Sequence, residues 1–268
     1  MAPRIVAELG KHSAYWEPFC GSMAVLFAKD PCRLETVNDL HEDLINLASV
    51  VRNEKLGREL YECARLIPCS DSDLAWASNL LRKPFQDGDS KVQRALAYLV
   101  SCWQGRNGEC GLSATERDRS LCIRWGNTGG SPATRWLGVV KSIAAWRRRL
   151  EKVTVLRRDG FDVLAKISDE PDAVIYCDPP YLVKSDKYMH DFESADHDRL
   201  ANLAARFKSA RIVISYYEHP DLDRLYPGWT RVRVEMNKAL SHTTKKSKAV
   251  EVLLINGPSY TERIESLF

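Results

Sequence analysis

Asp178-Pro179-Pro180-Tyr181 sets a carboxylate, two rigid prolines and an aromatic ring within four residues. The carboxylate oxygens and the Pro179 carbonyl are all acceptors, and a stiff backbone can aim them at one point. An exocyclic amine offers two N–H donors, and the flat heterocycle behind it would stack on Tyr181. The plainer alternative is a proline-terminated strand with a surface tyrosine, and a tetrapeptide alone does not choose between them. Before it, Val174-Ile175-Tyr176-Cys177 reads as a strand buried on both faces, an interior parallel strand of an α/β sheet. The prolines end it abruptly, so the acceptors and the ring emerge at its carboxyl end, where open α/β sheets hold their ligands.

A second constellation lies near the start. Glu17-Pro18-Phe19-Cys20-Gly21 falls where a first strand meets a first helix. Gly21 lets the backbone approach a ligand closely. The pattern is not GxGxxG, which argues against a dinucleotide pyrophosphate. Asp39 follows 18 residues after Gly21, at the end of a second strand. That position suits the ribose hydroxyls of a nucleoside-bearing cofactor, and it equally suits the N-cap of the next helix. Asp159-Gly160-Phe161, after a third strand, offers a carboxylate and a ring for an adenine, or is a plain turn.

The elements that must position these groups alternate. A helix over 3–11, a strand ending at 19, a helix over 23–29, a strand over 34–37 and a helix carrying Leu40, Leu44, Leu47 and Val51 open a doubly wound sheet. Strand signals return at 153–156, 173–177 and 211–217, with a helix over 195–208. Strands over 230–236 and 249–255, joined only by a loop, predict an antiparallel hairpin at the C-terminal end of a mostly parallel sheet. Between 54 and 150 strand signals nearly vanish, and helical runs carry basic residues interleaved with Trp103, Trp125, Trp136 and Trp146. The predicted organisation is a catalytic domain from 1–53 and 151–268 with an inserted helical subdomain at 54–150.

At 268 residues and 44% hydrophobic, the chain can bury one large core. No apolar run reaches the ~20 residues of a membrane span. The first residues include Glu8 and lack a signal-peptide core. Eight cysteines without CxxC pairs read as reduced thiols of a cytoplasmic protein, and their spacing offers no metal site. A net charge of +3 does not by itself identify a nucleic-acid partner.

The two motifs, in this order with a basic segment between them, resemble the Dam-type N6-adenine DNA methyltransferases, phage and prophage members in particular. The resemblance runs over nearly the whole chain. It takes in Val37-Asn38-Asp39-Leu40, Gly129-Gly130-Ser131-Pro132 with Arg135-Trp136, and Glu251-Val252-Leu253. It implies S-adenosylmethionine as methyl donor and adenine in double-stranded DNA as acceptor. Carried over, Glu17, Phe19 and Gly21 flank the cofactor, Asp39 takes its ribose, Asp159 and Phe161 its adenine, and Asp178 lies beside it. Asp178, Pro179, Pro180 and Tyr181 hold the target base. An unlinked restriction endonuclease acting on the same site is a compatible partner. Two departures stand out. Members usually open with an aromatic-x-Gly-Gly-Lys segment that contacts the methionine end of the cofactor, whereas this chain starts at Met1-Ala2-Pro3-Arg4, so cofactor affinity is the property affected. Met23 stands where many members carry a second glycine.

The implied mechanism is direct. The adenine leaves the duplex, Tyr181 stacks on it, and acceptors at Asp178 and Pro179 localise the amine lone pair for in-line attack, with no covalent intermediate. Pro68-Cys69, the pair that carbon-5 cytosine chemistry would need, lies in the helical insertion and reads as packing. For DNA, Arg106, Asn107 and Arg124 are candidate base readers, while Arg135, Lys245 and Lys246 are candidate phosphate contacts. Arg147-Arg148-Arg149 reads as a solvated helix face. Ser215-Tyr216-Tyr217, at the next strand end, is a further pocket wall or core. The rival readings are a methyltransferase acting on another amine (cytosine N4, RNA or a protein glutamine) and a catalytically silent DNA-binding module on the same fold.

Overall fold

The computed structural model describes residues 1–106, 120–123, 130–182, 192–236 and 249–262. Its sheet strands, in chain order, are β1 (Ala14–Phe19), β2 (Leu34–Asn38), β3 (Thr154–Leu156), β4 (Ala173–Cys177), β5 (Arg211–Tyr217), β6 (Thr230–Met236) and β7 (Ala249–Ile255). They lie in the order β3-β2-β1-β4-β5-β7-β6. β1 pairs in parallel with β2 and β4, and β4 with β5, whereas β7 runs antiparallel to both β5 and β6. The mostly parallel sheet and its terminal hairpin therefore match the sequence pattern. Chain order reverses between β1 and β4, and the crevice at the carboxyl ends of those two strands is where such sheets bind ligands.

The described chain groups into two compact units. One holds Met1–Leu40 and the described residues from Leu156 onward; the other holds those from His41 to Val155. In the first, every residue of β4 is buried. Ile175 and Cys177 share a cluster with Leu164 of α8 (Gly160–Lys166), Leu200 of α9 (Ser194–Ala204), Ile212, Ile214 and Leu222 of α10 (Leu222–Leu225). Alternation along the strand turns Val174 and Tyr176 to the opposite face. There α1 (Ala2–Leu9) packs against β4, β5 and α2 (Ala24–Ala28), burying Ile5 and Leu9.

Glu8 of α1 is fully buried and bound to the end of the described chain. Its carboxylate accepts from Ser259 Oγ at 2.7 Å, Tyr260 N at 2.9 Å and Thr261 N at 3.2 Å, and pairs with Arg211 at 3.0 Å. Burial alone would raise its pKa, but the hydrogen bonds from Thr261, Tyr260 and Ser259 outweigh that and hold it below the ordinary value. A lowered carboxylate pKa contributes stability that is present above the unfolded-state pKa and lost as pH falls through the folded one. Urea titrations from neutral to acidic pH should show the native protein losing stability below the ordinary carboxylate range. Glu8→Gln should start less stable and decline less; parallel curves would contradict this role.

The second unit is a bundle of α3 (Glu42–Arg52), α4 (Glu54–Leu66), α5 (Asp71–Leu81), α6 (Lys91–Gln104) and α7 (Pro132–Leu150). Side-chain caps from Asn53, Ser70 and Ser90 accept backbone N–H groups at the starts of α4, α5 and α6. The sequence reading places the domain break after 53, but α3 packs on α4, α6 and α7 and belongs with the bundle. Its N-cap is His41, which accepts from Leu44 N, and not Asp39. The helix therefore starts later than expected, buries Ile45, Ala48 and Val51, and leaves Leu40 46% exposed outside it. α9 likewise ends at Ala204, short of 208. Among the three arginines ending α7, Arg147 is half-buried and pairs with Glu54 at 3.2 Å, so only Arg148 fits the solvated face.

Candidate active site

The tips of β1 and β4 meet side by side: Phe19 is in register with Cys177, so Asp178 and Cys20 leave the sheet about one strand spacing, ~4.8 Å, apart. The register shifts between Trp16 and Phe19. Pro18, lacking an N–H, lies in this interval, and a bulge there bends the strand as it enters the turn.

Beyond Phe19 the chain makes a tight turn. Gly21 has φ +42, with no atom within 4 Å of where a Cβ would sit, and its N–H donates to Asp39 Oδ2 at 2.8 Å. Asp39 is thus half-exposed at the tip of β2, tied to the glycine turn. Met23 adopts φ 56, ψ 27, the left-handed region that favours glycine, so this turn holds a side chain in a conformation that glycine would adopt without strain. Asn38, 1% exposed, clamps the neighbouring loops. Its Nδ2 donates to the carbonyls of Pro18 and Arg158, and its Oδ1 accepts from Arg158 N, each at 2.9 Å. One amide therefore fixes the strand ends carrying Glu17-Phe19 and Asp159 relative to each other.

Asp159 caps α8, accepting from Phe161 N at 2.7 Å and Asp162 N at 3.3 Å through Oδ1. Phe161 is 6% exposed, stacked on Phe192 with centroids 5.5 Å apart, and carries the Arg199 guanidinium 4.3 Å from its centroid. Phe19 meets both rings edge-on, at 5.8 Å and 6.2 Å. Gly160 is what allows this packing, because a Cβ there would lie 2.4 Å from the Phe19 ring. Gly160→Ala should destabilise the protein by about 1–3 kcal/mol through overpacking. In a double-mutant cycle by chemical denaturation, Phe19→Leu should relieve most of that cost; strict additivity would contradict the contact.

At the β4 tip, Asp178 is exposed and accepts through Oδ1 from Ser215 Oγ at 2.8 Å and Tyr181 OH at 3.3 Å. The surrounding protein nonetheless crowds the carboxyl group and withdraws part of its solvent. This crowding raises its pKa against the two hydrogen bonds. Pro179 is buried and Pro180 half-buried. The Tyr181 ring lies 4.4 Å from that of Tyr217. Glu17 lies beneath the turn, 2% exposed, with Oε2 lacking a hydrogen-bond partner. Burial pushes its pKa up to about 8, with the Asp178 and Asp39 charges adding to the rise and Tyr15 and Lys29 opposing it. Strand tips carrying the Asp39 and Asp178 carboxylates beside an open glycine turn suit a cationic ligand bearing a ribose diol.

Of the sequence-predicted residues, Glu17, Phe19, Gly21, Asp39, Asp159, Phe161 and Asp178–Tyr181 all lie at the tips of β1, β2 and β4 or at the start of α8. Within Ser215-Tyr216-Tyr217, Ser215 bonds Asp178 and Tyr217 packs on Tyr181, whereas Tyr216 is fully buried core. Asn38 and Phe192 were missed as side chains. The detectable signal for Asn38 was an amide ending a buried strand. Among the DNA candidates, Arg106 is half-buried with its N–H on Ser120 O, and Arg135 is exposed on the first turn of α7. Asn107, Arg124, Lys245 and Lys246 lie outside the described residues. Among the described residues, no three His, Cys, Asp or Glu side chains gather as metal ligands, and no helix is long and apolar enough to cross a membrane.

Residues 1–71 and 140–241 match the family model of D12 class N6 adenine-specific DNA methyltransferases, well over half of the chain. Retron Ec67 DNA adenine methylase of Escherichia coli is 24% identical, aligning 94% of this chain with 87% of its own. A DNA adenine methylase of Vibrio cholerae is 25% identical over 89% of this chain and 84% of its own. Among solved structures, SMU.472, determined in complex with SAH, aligns at 11% identity with 78% of this chain. The match spans only 55% of that protein, with a TM-score of 0.29, too low to bear on the fold.

Proposed function

The chain belongs to the D12 class of N6 adenine-specific DNA methyltransferases, and on that premise we propose how its strand-tip residues carry out the transfer. The reaction moves a methyl group from S-adenosylmethionine to adenine in DNA. When bound, the cofactor supplies an electrophilic methyl on a sulfonium. Asp39 and Gly21 would hold its ribose side, Phe19 and Asp159 its adenine side with Phe161 packed behind them, and Asp178 would supply negative charge above Glu17, whose buried carboxyl keeps its proton at neutral pH.

Asp178 and the Pro179 carbonyl then act on the base. With Oδ1 occupied by Ser215 and Tyr181, Oδ2 is the oxygen left to accept an amine hydrogen. Drawing both hydrogens into acceptors localises the amine lone pair, which is otherwise delocalised into the purine, and aims it at the methyl. Extruding the base costs a few kcal/mol, and stacking on Tyr181 would offset about 1–3 kcal/mol of that. The observation that carries this reading is Asp178 emerging beside the Gly21 turn at the sheet's switch point.

Double-stranded DNA in the cytoplasm is the proposed substrate and setting. Arg135, and Arg106, Asn107, Arg124, Lys245 and Lys246, are the proposed DNA contacts. Incubating the protein with duplex DNA and methyl-labelled S-adenosylmethionine, then digesting to nucleosides, should place the label in N6-methyladenine. Label in cytosine, or none, would overturn the assignment.

A further inference from the structure

We propose that Tyr176 and Ser215 form a hydroxyl relay that positions Asp178, pinning Oδ1 so that Oδ2 faces the incoming amine. The inference rests on the reading of Asp178 as the amine acceptor. Both relay residues are buried, Tyr176 at 3% and Ser215 at 1%, on neighbouring strands β4 and β5. Tyr176 OH lies 3.0 Å from Ser215 Oγ, which lies 2.8 Å from Asp178 Oδ1. Chemistry sets the direction. An ionised carboxylate only accepts, so Ser215 must spend its single hydrogen on Asp178 and accept from Tyr176. Burial drives the Tyr176 phenol pKa well above its usual value, so it keeps the proton it donates.

Of the other described groups near Asp178, Tyr181 alone also donates to Oδ1, at the longer distance of 3.3 Å. Those facing Asp178 are Glu17 from β1, Tyr176 and Cys177 from β4, Tyr181 from its own turn, Tyr216 from β5 and Glu251 from β7. All are acidic or neutral. Among the described residues, burial disfavours the ionised form of Asp178, and hydroxyl donation from Ser215 and then Tyr181 opposes that rise in part. A serine in the run Ile212-Val213-Ile214-Ser215-Tyr216 is a polar interruption that packing alone would not place there.

The test is the pH dependence of kcat for the full-length protein on duplex DNA, with Ser215→Ala, Ser215→Thr and Tyr176→Phe. Losing a hydrogen bond to a charged group should lower kcat about ten-fold near neutral pH. It should also move the acid limb to higher pH by about one unit, since the carboxylate becomes harder to ionise. Threonine, which keeps the hydroxyl, should restore the native limb, and Tyr176→Phe should give a smaller shift in the same direction. A uniformly scaled profile with an unmoved limb would overturn the relay while leaving the function intact. Native protein that methylates no adenine would overturn both. If Ser215→Ala does not fold, Tyr176→Phe decides alone: an unshifted limb overturns the relay.

Discussion

Replacing Asp178 by alanine is expected to lower methyl transfer by about a thousand-fold, the scale on which loss of one preorganised polar group acts on a developing charge. The fold should survive. Asp178 is exposed, and the Ser215 hydroxyl it releases still has Tyr176. Stability should even rise slightly. Crowding raises the Asp178 pKa in the folded state, so the ionised carboxylate is disfavoured on folding at every pH above that value, and its removal relieves the penalty. Gain of stability with loss of activity is the mark of a group held in an uncomfortable place for chemistry. Thermal denaturation beside a single-turnover methylation assay reads both. A variant that retains turnover, or loses it only by unfolding, would contradict the assignment.

Replacing Arg94 by alanine is expected to cost the helical unit about 3–5 kcal/mol, the range for breaking a buried ion pair from one side. Arg94 of α6 is 5% exposed. Its Nε and Nη2 meet the two oxygens of Asp43 on α3 at 2.6 Å and 3.1 Å. Nη1 donates to the carbonyls of Leu80 and Lys83 at 2.9 Å and 2.7 Å, closing the C-terminal end of α5. One guanidinium therefore joins three helices and adds a charged donor to the carbonyls at and just beyond a helix C-terminus. Lysine should not rescue it, since a point charge cannot span both Asp43 oxygens and the helix end. Urea unfolding monitored by tryptophan fluorescence should show the early loss of this unit. DNA binding should weaken alongside if the unit carries the proposed contacts. Native-like stability in Arg94→Lys would contradict the need for the fork.

The sheet was legible because its signals are local. The apolar run 173–177 closed by two prolines, the turn at Gly21, and two late strands joined only by a loop each specify an element within a few residues. What escaped depends on partners far along the chain. Ser215 bonds an aspartate 37 residues away, and Asn38 bonds Arg158 across 120; neither pairing leaves a trace in local periodicity. The start of α3 lies later than Asp39 suggests because an uncommon cap, the His41 ring nitrogen, accepts the Leu44 N–H. The aspartate is instead drawn to the Gly21 N–H, which only the folded turn supplies. Phe161 shows a different limit. Its place in the chain was read from the turn before it, but the covering by Phe192 and Arg199 is a tertiary fact.

The central claim is that the tip of β4 receives the extruded base. Duplex DNA carrying 5-iodouracil in place of the target adenine, irradiated in complex with the protein and S-adenosylhomocysteine, tests it most directly. The cross-linked peptide should contain Tyr181, and the yield should collapse in Tyr181→Ala. Cross-links confined to the helical unit, with none near Tyr181, would contradict it.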